Sequence, residues 1–248
     1  MKIETLEVCC GNYQDALAAS QAGAERIELN SALFLGGLTP TLSALQLTKQ
    51  TTNLKVICMV RPRGAGFCYS EAEFKEILTT AELLLANGAD GLSFGFLTEA
   101  GEIDIDRTRQ LVEITHGYDA EAVFHRAFDC SIDPVKNTTT LIKLHLDRIL
   151  TSGLQPTAWT GRNVLAELQK NFGKQIEILA GSGINPANVR SLISTTGIKQ
   201  VHASCTVKQS DQTACHQQVD FSYLKQEVPG SYEAVSPQLV RQLLAELK

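Results

Sequence analysis

A short pattern that the chain uses twice decides the fold: "QAGAERIELN" at residues 21–30 and "ANGADGLSFG" at residues 86–95. In both stretches a helical segment ends at a glycine, and a short apolar segment follows almost at once. Glycine is common just after a helix because it adopts the left-handed conformation without steric cost. A helix, a glycine and then a strand is the expected step between units of a parallel sheet. The pattern therefore predicts an α/β fold.

The same alternation of strand and helix runs along the chain. Strands are predicted at 3–10, 25–30, 54–60, 90–97, 121–125, 147–152, 176–181 and 199–204. Helices are predicted at 12–22, 40–50, 70–87, 104–116, 134–145, 161–172, 185–195 and 236–247. Eight such units close a (β/α)8 barrel, so we predict a TIM barrel that forms a single domain over residues 1–248. The alternative, a doubly wound open sheet, would more naturally carry G-x-G-x-x-G after its first strand, and that motif is absent.

Prolines mark several predicted helix starts. Thr39-Pro40, Asp133-Pro134, Asn185-Pro186 and Ser236-Pro237 each place a capping residue before a proline. One stretch, 206–235, shows no such regularity. Because it is too long for a passive connection, we expect a surface loop or a lid there.

Composition excludes several classes of function. The 248 residues are 44% apolar and carry a net charge of −5 with both signs mixed, so no basic stripe for nucleic acid is present. No apolar run approaches the roughly 18 residues of a membrane span. The start, "MKIETLEVCC", is too polar for a signal peptide. With seven cysteines and no C-x-x-C, we expect a cytoplasmic protein with reduced thiols.

The strands place polar side chains inside the barrel. Alternate residues of a strand face opposite sides, so the apolar positions that pack on helices leave their polar neighbours facing inward. These inward residues are Glu7, Glu28, Arg61, Ser93, His125 and His202. Most lie near carboxyl ends of strands, where barrel enzymes build their active sites. The alternative is a polar layer in which carboxylates and guanidinium groups only satisfy one another.

Proton transfer is one chemistry that these residues allow. Glu7 and Glu28 come from adjacent strands, and two neighbouring carboxylates raise the pKa of one of them. His125 is expected to titrate near neutrality and to act as acid or base. Glu7, Glu28 and His125 are therefore the catalytic candidates, and Ser93 and His202 are expected to line the same site.

An anion site is predicted beside them. Arg61 can hold a carboxylate or phosphate through two hydrogen bonds, although a salt bridge that anchors a loop is the alternative. In "LAGSGINPANV", residues 179–189, a strand runs through Gly181, Ser182 and Gly183 toward a helix start. Barrels often bind phosphate there, and Ser204 follows the eighth strand. A tight turn that binds nothing is the alternative for the glycines. Asp129 is expected to cap a turn before the next helix rather than to take part in catalysis.

Several motifs in a fixed order resemble the CutC copper-homeostasis family. They are "LEVCC", "AGAERIEL", "GGLTP", "RPRG" with "FCYS", "FHRAFD", "RILTSG" and "VHAS", spread from about residue 4 to residue 205. The resemblance implies a (β/α)8 barrel, a cytoplasmic location, a homodimer and a copper-binding role. It makes Cys9 the candidate thiolate ligand of the metal.

Two positions depart from the pattern that the resemblance implies. Many family members carry a cysteine where this chain has Asn30, so one soft ligand is lost. Gly66 replaces an acidic residue in the loop after the third strand. Two hypotheses follow: a copper-handling protein, or a TIM-barrel enzyme that acts on a small phosphorylated or carboxylated metabolite.

Overall fold

The barrel is closed by eight parallel strands. The computed structural model describes residues 5–220 and 230–248, and its strands pair in chain order from the first to the eighth and back to the first. The eight are β1 Thr5–Cys10, β2 Arg26–Leu29, β3 Lys55–Met59, β4 Gly91–Phe94, β5 Glu121–Phe124, β6 Arg148–Thr151, β7 Glu177–Ala180 and β8 Gln200–Ala203. The predicted (β/α)8 barrel is confirmed.

In the described residues, eight helices surround these strands. They are α1 Tyr13–Gln21, α2 Leu42–Thr51, α3 Glu71–Ala86, α4 Ile105–His116, α5 Pro134–Lys143, α6 Arg162–Phe172, α7 Val189–Thr196 and α8 Pro237–Glu246. Two short 3₁₀ segments, Leu33–Leu35 and Arg126–Cys130, lie in loops at the carboxyl ends of β2 and β5. Apolar residues of the helices and the outward strand faces form the main core, including Val8, Ile27 and Phe124, which are fully buried. Burial of this surface is the main force that holds helices on strands.

The glycines of the opening pattern do what the sequence predicts. Gly23 and Gly88 have φ of +92° and +91°, between a helix and the next strand. A side chain is disfavoured in this conformation, so both positions favour glycine.

Two of the four proline-marked helix starts are correct. Asp133 and Ser236 cap α5 and α8, with proline in the first turn. The other two are wrong, because α2 is capped by Thr41 and α7 begins after Asn188. Thr39 instead links the loops that follow the adjacent strands β2 and β3. Its hydroxyl donates to the backbone carbonyl of Arg61 and accepts from the backbone N–H of the same residue.

Inward-facing side chains stack in layers along the barrel axis. Strand alternation and register give layers of four from alternate strands, as TIM barrels generally do. Four successive layers can be followed toward the carboxyl end of the barrel. The first two contain Arg26, Gly91, Arg148 and Gln200, and then Glu7, Ile57, Val123 and Leu179. The next two contain Glu28, Ser93, Leu150 and His202, and then Cys9, Met59, His125 and Gly181. Ile57, Val123, Leu150 and Leu179 form a small apolar cluster of their own. Polar groups thus occupy both ends of the barrel, with apolar side chains between them on one side.

The amino-terminal end is closed by a buried charge network. Arg148 is 1% exposed, and its guanidinium lies 2.8 Å from Glu121, 3.0 Å from Glu177 and 3.7 Å from Glu7. Arg26 contacts Glu7 at 2.7 Å and donates to Gln200 at 2.6 Å. Buried charges are tolerated when they are paired in this way.

The stretch 206–235 is more regular than we expected. Thr206–Ser210 (β9) pairs antiparallel with Ser231–Val235 (β12), and Cys215–His216 (β10) pairs with Val219–Asp220 (β11). Asp15 of α1 ties this ribbon to the barrel, because its carboxylate accepts from the backbone N–H of Val235 and of Gly11, at 2.9 Å each. Part of the expected lid, 221–229, lies outside the described residues. The ribbon was missed because the contacts that order it are distant in sequence.

Among helices of the described ranges, none has the length and apolar character needed to cross a membrane. Within those ranges, Cys9, Cys10, Cys58, Cys68, Cys130 and Cys205 are free thiols.

Replacing Arg148 with methionine should destabilise the fold strongly. The change leaves the buried Glu7 carboxylate short of a cation, and breaking a buried pair costs about 3–5 kcal/mol of unfolding free energy. Urea denaturation at neutral pH measures the loss. The control is Arg190→Met, which removes an exposed pair with Glu246 and should cost less than about 1 kcal/mol. Equal losses in both variants would show that the network does not stabilise the barrel.

Candidate functional site

A cavity of about 530 Å³ opens at the carboxyl end of the barrel. Strand ends, the loops that follow them and β12 all contribute to its wall. The lining residues include Cys9, Glu28, Asn30, Leu33, Met59, Arg61, Phe67, His125, Arg126, Asp129, Leu150, Ser182, Gly183, Ile184, His202, Ser204 and Glu233. This volume is typical of small-molecule sites and far exceeds the needs of a single ion.

Three potential metal ligands meet on one side of the cavity. The sulfur of Cys9, a carboxylate oxygen of Glu28 and a ring nitrogen of His202 all lie within 4.8 Å of one another. They converge because β8, β1 and β2 are neighbours in the closed sheet. Cys9 is half-buried, whereas Glu28 and His202 are buried.

Glu7 orients the ring of His202. Nδ1 of His202 lies 2.9 Å from Oε1 of Glu7, which leaves Nε2 on the side of Glu28, 3.9 Å from its Oε2. Histidines that bind metals commonly use their second nitrogen in this way to hold a carboxylate. Glu7 therefore lies behind the cluster rather than in the cavity wall.

The protonation of the cluster follows from its contacts. Burial opposes the charge on His202, but hydrogen bonds with Cys9 and Glu7 outweigh it and raise the pKa of His202 well above its ordinary value. Burial also raises the pKa of the Cys9 thiol, which His202 only partly offsets. The raised pKa makes His202 a positively charged group between Glu7 and Glu28.

The expected rise in pKa from a neighbouring carboxylate does not occur at Glu7. Burial alone would raise the pKa of Glu7, but the hydrogen bond from His202 and the charges of Arg26, His202 and Arg148 lower it to about 2. Each carboxylate has its own donors, so the two do not share a proton. Glu7 remains a carboxylate at any physiological pH.

Asn30 takes part in the cluster, although its position suggested only a missing ligand. Its amide donates to Oε2 of Glu28 at 3.0 Å, and its nitrogen lies 3.6 Å from the sulfur of Cys9. The backbone of Gly37 also packs closely against the Asn30 side chain, since a Cβ at Gly37 would lie 2.5 Å from the Oδ1 of Asn30. An amide here supplies hydrogen bonds where a thiolate would supply a soft ligand.

His125 does line the cavity, but its expected titration near neutrality is wrong. Burial and the nearby charge of Arg61 lower its pKa to about 3. Nδ1 accepts a hydrogen bond from the N–H of Ala127 at 3.1 Å, so the ring proton resides on Nε2. His125 is thus a neutral hydrogen-bond donor, and a role as general base would need Nε2 to lose that proton.

Arg61 lines the same cavity and also holds its loops. Its guanidinium donates to the carbonyls of Leu35, Gly37 and Ala65, at 2.9, 3.0 and 2.7 Å. The group lies over the ring of Phe67, 5.1 Å from its centroid. Loop anchoring therefore relies on backbone carbonyls rather than on the salt bridges considered above.

The glycine-rich turn after β7 only partly reaches the cavity. Ser182 and Gly183 line it, but the N–H of Gly181 donates to Thr151 within the barrel and is not free for an anion. The carbonyl of Gly183 accepts from the side chain of Asn188, and α7 starts only beyond that residue. The helix start is thus not adjacent to the glycines, contrary to expectation. Ser204 lies exposed at the rim.

The two remaining predicted residues, Ser93 and Asp129, contribute to the packing and hydrogen bonding of the barrel and its loops. Ser93 is buried in the same layer as Glu28 and His202, beneath the cavity. Asp129 accepts hydrogen bonds from Arg126 and from the hydroxyls of Thr151 and Ser152, so it fixes the loop after β6. Its role is structural, as expected, but it joins two loops instead of capping a turn.

The chain is similar to known proteins in sequence and in fold. A model of the CutC family matches residues 4–207. The chain belongs to the CutC family. CutC relatives include a family protein of Treponema denticola, 50% identical over 82% of this chain and 81% of its own, and one of Vibrio vulnificus strain YJ016, 41% identical over 80% of both.

A solved CutC structure has the same fold. It is a candidate copper homeostasis protein CutC from Streptococcus agalactiae, 29% identical, with a TM-score of 0.76 over 82% of this chain and 99% of that one. The barrel of phosphoribosyl anthranilate isomerase from Thermococcus kodakaraensis also superposes, with a TM-score of 0.60 over 99% of both chains. At 14% identity, it is similar in fold alone.

The neutral state of His125 can be measured directly. Its ring resonances in an NMR titration should not shift between about pH 8 and pH 5, because burial and Arg61 hold its pKa near 3. The spectrum of His125→Asn assigns the signal. The half-exposed ring of His116 provides an internal comparison. A midpoint for His125 within this range would contradict the derived state.

Proposed function

We propose that this CutC-family protein binds a copper ion at the barrel mouth and takes part in copper homeostasis. Cys9 and His202 would supply sulfur and nitrogen, and Glu28 would supply oxygen. The observation that carries the proposal is the convergence of these three groups within 4.8 Å of one another.

The chemistry of the donors suits copper. Thiolate is a soft ligand that favours Cu(I), and imidazole is accepted by copper in both oxidation states. The name of the Streptococcus agalactiae relative, a candidate copper homeostasis protein, agrees with this choice of metal. Zinc accepts the same three donor types.

Copper would compete with protons for this site. Binding requires the thiolate of Cys9 and a free nitrogen on His202, and both groups have raised pKa values. Loading therefore releases protons, and affinity should fall as the pH is lowered. Glu7 stays ionised throughout and keeps Nε2 directed at the metal.

The alternative, acid–base catalysis by Glu7, Glu28 and His125, is less well supported. Glu7 lies behind His202 with a pKa near 2, and His125 is neutral. A general acid or base works best when its pKa lies near the working pH. Neither residue meets that condition.

The family resemblance also underlies two further expectations. We propose a cytoplasmic location and a homodimer, and light scattering of the purified protein tests the second. We expect the interaction partners to be a copper ion or a small anionic ligand, rather than nucleic acid or a membrane.

Replacing Cys9 with serine should greatly reduce copper affinity. The change removes the soft donor and leaves two harder ones, so we expect a loss of at least about tenfold. A competition titration with a Cu(I) chelator, under reducing conditions, measures it. Cys68→Ser is the matched control, because Cys68 is exposed and does not line the cavity.

The titration also tests the location of the site. Cys130 lines the same cavity and has an exposed thiol. Loss of binding in Cys130→Ser with no effect of Cys9→Ser would place the metal elsewhere. Binding too weak to compete with the chelator in the unmodified protein would remove the proposal.

Replacing Asn30 with cysteine should increase Cu(I) affinity. A sulfur would replace an amide that lies 3.6 Å from the sulfur of Cys9, and we expect a gain of at least about tenfold from a second soft donor. Asn30→Ser is the control, since serine has nearly the same size as cysteine but offers a hard oxygen in place of the soft sulfur. The same chelator titration is used. A gain in both variants would mean that lost hydrogen bonds to Glu28, and not the thiol, cause the change.

A further inference from the structure

The positive charge of Arg61 has no carboxylate partner in the part of the chain that the structure describes. Its side chain lines the cavity, is 5% exposed, donates to three backbone carbonyls and also interacts with the hydroxyl of Tyr69. Its Nε makes no hydrogen bond with any described residue. The buried arginines at the other end of the barrel, Arg26 and Arg148, both contact carboxylates. Buried charges are normally paired, so the guanidinium of Arg61 is expected to bind an anion that is not part of the described chain.

A second buried donor without a partner lies beside it. His125 is 3% exposed, and its Nε2 makes no hydrogen bond within the described residues. Its Nδ1 is occupied by the N–H of Ala127, so Nε2 carries the hydrogen. Leaving a buried donor unsatisfied destabilises the fold, which makes such a group informative about a ligand.

The two donors belong to one subsite. Both pack on Phe67, with the guanidinium of Arg61 5.1 Å and the ring of His125 5.0 Å from its centroid. They come from the ends of β3 and β5, across the barrel from the cysteine on β1. The copper ligands and these donors therefore occupy different sides of one cavity.

Other acidic groups of the cavity do not answer this charge. Glu28 accepts from Asn30 and Asp129 is held by Arg126, so both carboxylates have donors of their own. The third acidic residue of the lining, Glu233, is exposed on β12. Apolar side chains also line the space between the two sides, including Met59 and Leu150. The cavity thus offers a place for an organic body as well as for its charge.

We propose that Arg61 and His125 bind the carboxylate of a small organic anion. One oxygen would accept from the Nε–H of Arg61 and the other from the Nε2–H of His125. Phosphate is less well suited, because Gly181 spends its N–H within the barrel and α7 begins away from the glycine turn. The inference does not depend on copper, since it uses none of the metal ligands.

The test is a binding experiment on metal-free protein. With a chelator present and ionic strength held constant, acetate, glycolate, malonate, succinate and inorganic phosphate are compared by thermal shift and calorimetry. At least one carboxylate should give a saturable increase in Tm. Binding should persist in Cys9→Ser, which separates this result from any failure of the copper proposal.

Two variants identify the subsite. His125→Asn keeps an acceptor for the N–H of Ala127 but removes the Nε2–H, and we expect affinity to fall at least about tenfold. The matched control is His116→Asn, because His116 lies on the surface against Asp147 and should leave binding unchanged. Arg61→Lys keeps the charge but loses the Nε–H and should also weaken binding.

Three outcomes overturn the proposal. The first is the absence of a saturable shift with every carboxylate. The second is carboxylate binding that is unaffected by His125→Asn and Arg61→Lys while both variants remain folded by circular dichroism. The third is binding of phosphate alone, which would assign the subsite to a different anion.

Discussion

The carboxylate of Glu7 is the interaction on which both ends of the barrel depend. It lies inside the barrel. The guanidinium groups of Arg26 and Arg148 contact it toward the amino-terminal end, and the imidazole of His202 contacts it toward the cavity. Its charge permits two arginines to be buried at the amino-terminal end. The same charge fixes the orientation and protonation of the histidine that faces the cavity. Stability and site chemistry thus share one residue.

The cavity itself is divided by the nature of its donors. On the side of β8, β1 and β2, a thiol, an imidazole and a carboxylate form a compact set with internal hydrogen bonds. Across the barrel, Arg61 and His125 have donor groups that no described residue accepts. One side can exchange protons for a cation, and the other can complete its hydrogen bonds with an anion. Charge complementarity across a single space would allow both to be occupied together.

Much of this arrangement could be read from the sequence because strand alternation is a local property. The alternation placed Glu7, Glu28, His125 and His202 inside the barrel, where the structure has them. Glycine after the helices and the count of eight units predicted the barrel. What sequence could not provide was the identity of each residue's partners, since those come from distant strands.

The errors follow from the same limit. The pKa of His125 depends on burial and on Arg61, and that of Glu7 depends on three cations from β2, β6 and β8. The contact between Asn30 and Cys9 could have been suspected from strand pairing, because β1 and β2 are adjacent. No local signal marked the ribbon of β9 and β12, whose strands are joined only by pairing across a long insertion.

That ribbon contributes to the rim of the cavity from outside the part of the chain that the family model matches. The match to the family model stops at residue 207, yet Glu233 of β12 reaches the cavity wall. The ribbon is fastened at its base, where the backbone N–H of Val235 donates to the carboxylate of Asp15 on α1. Its sequence can therefore drift without disturbing the layers beneath it. Relatives that share every inward residue could still differ in what enters the cavity, because part of its rim comes from a separate segment.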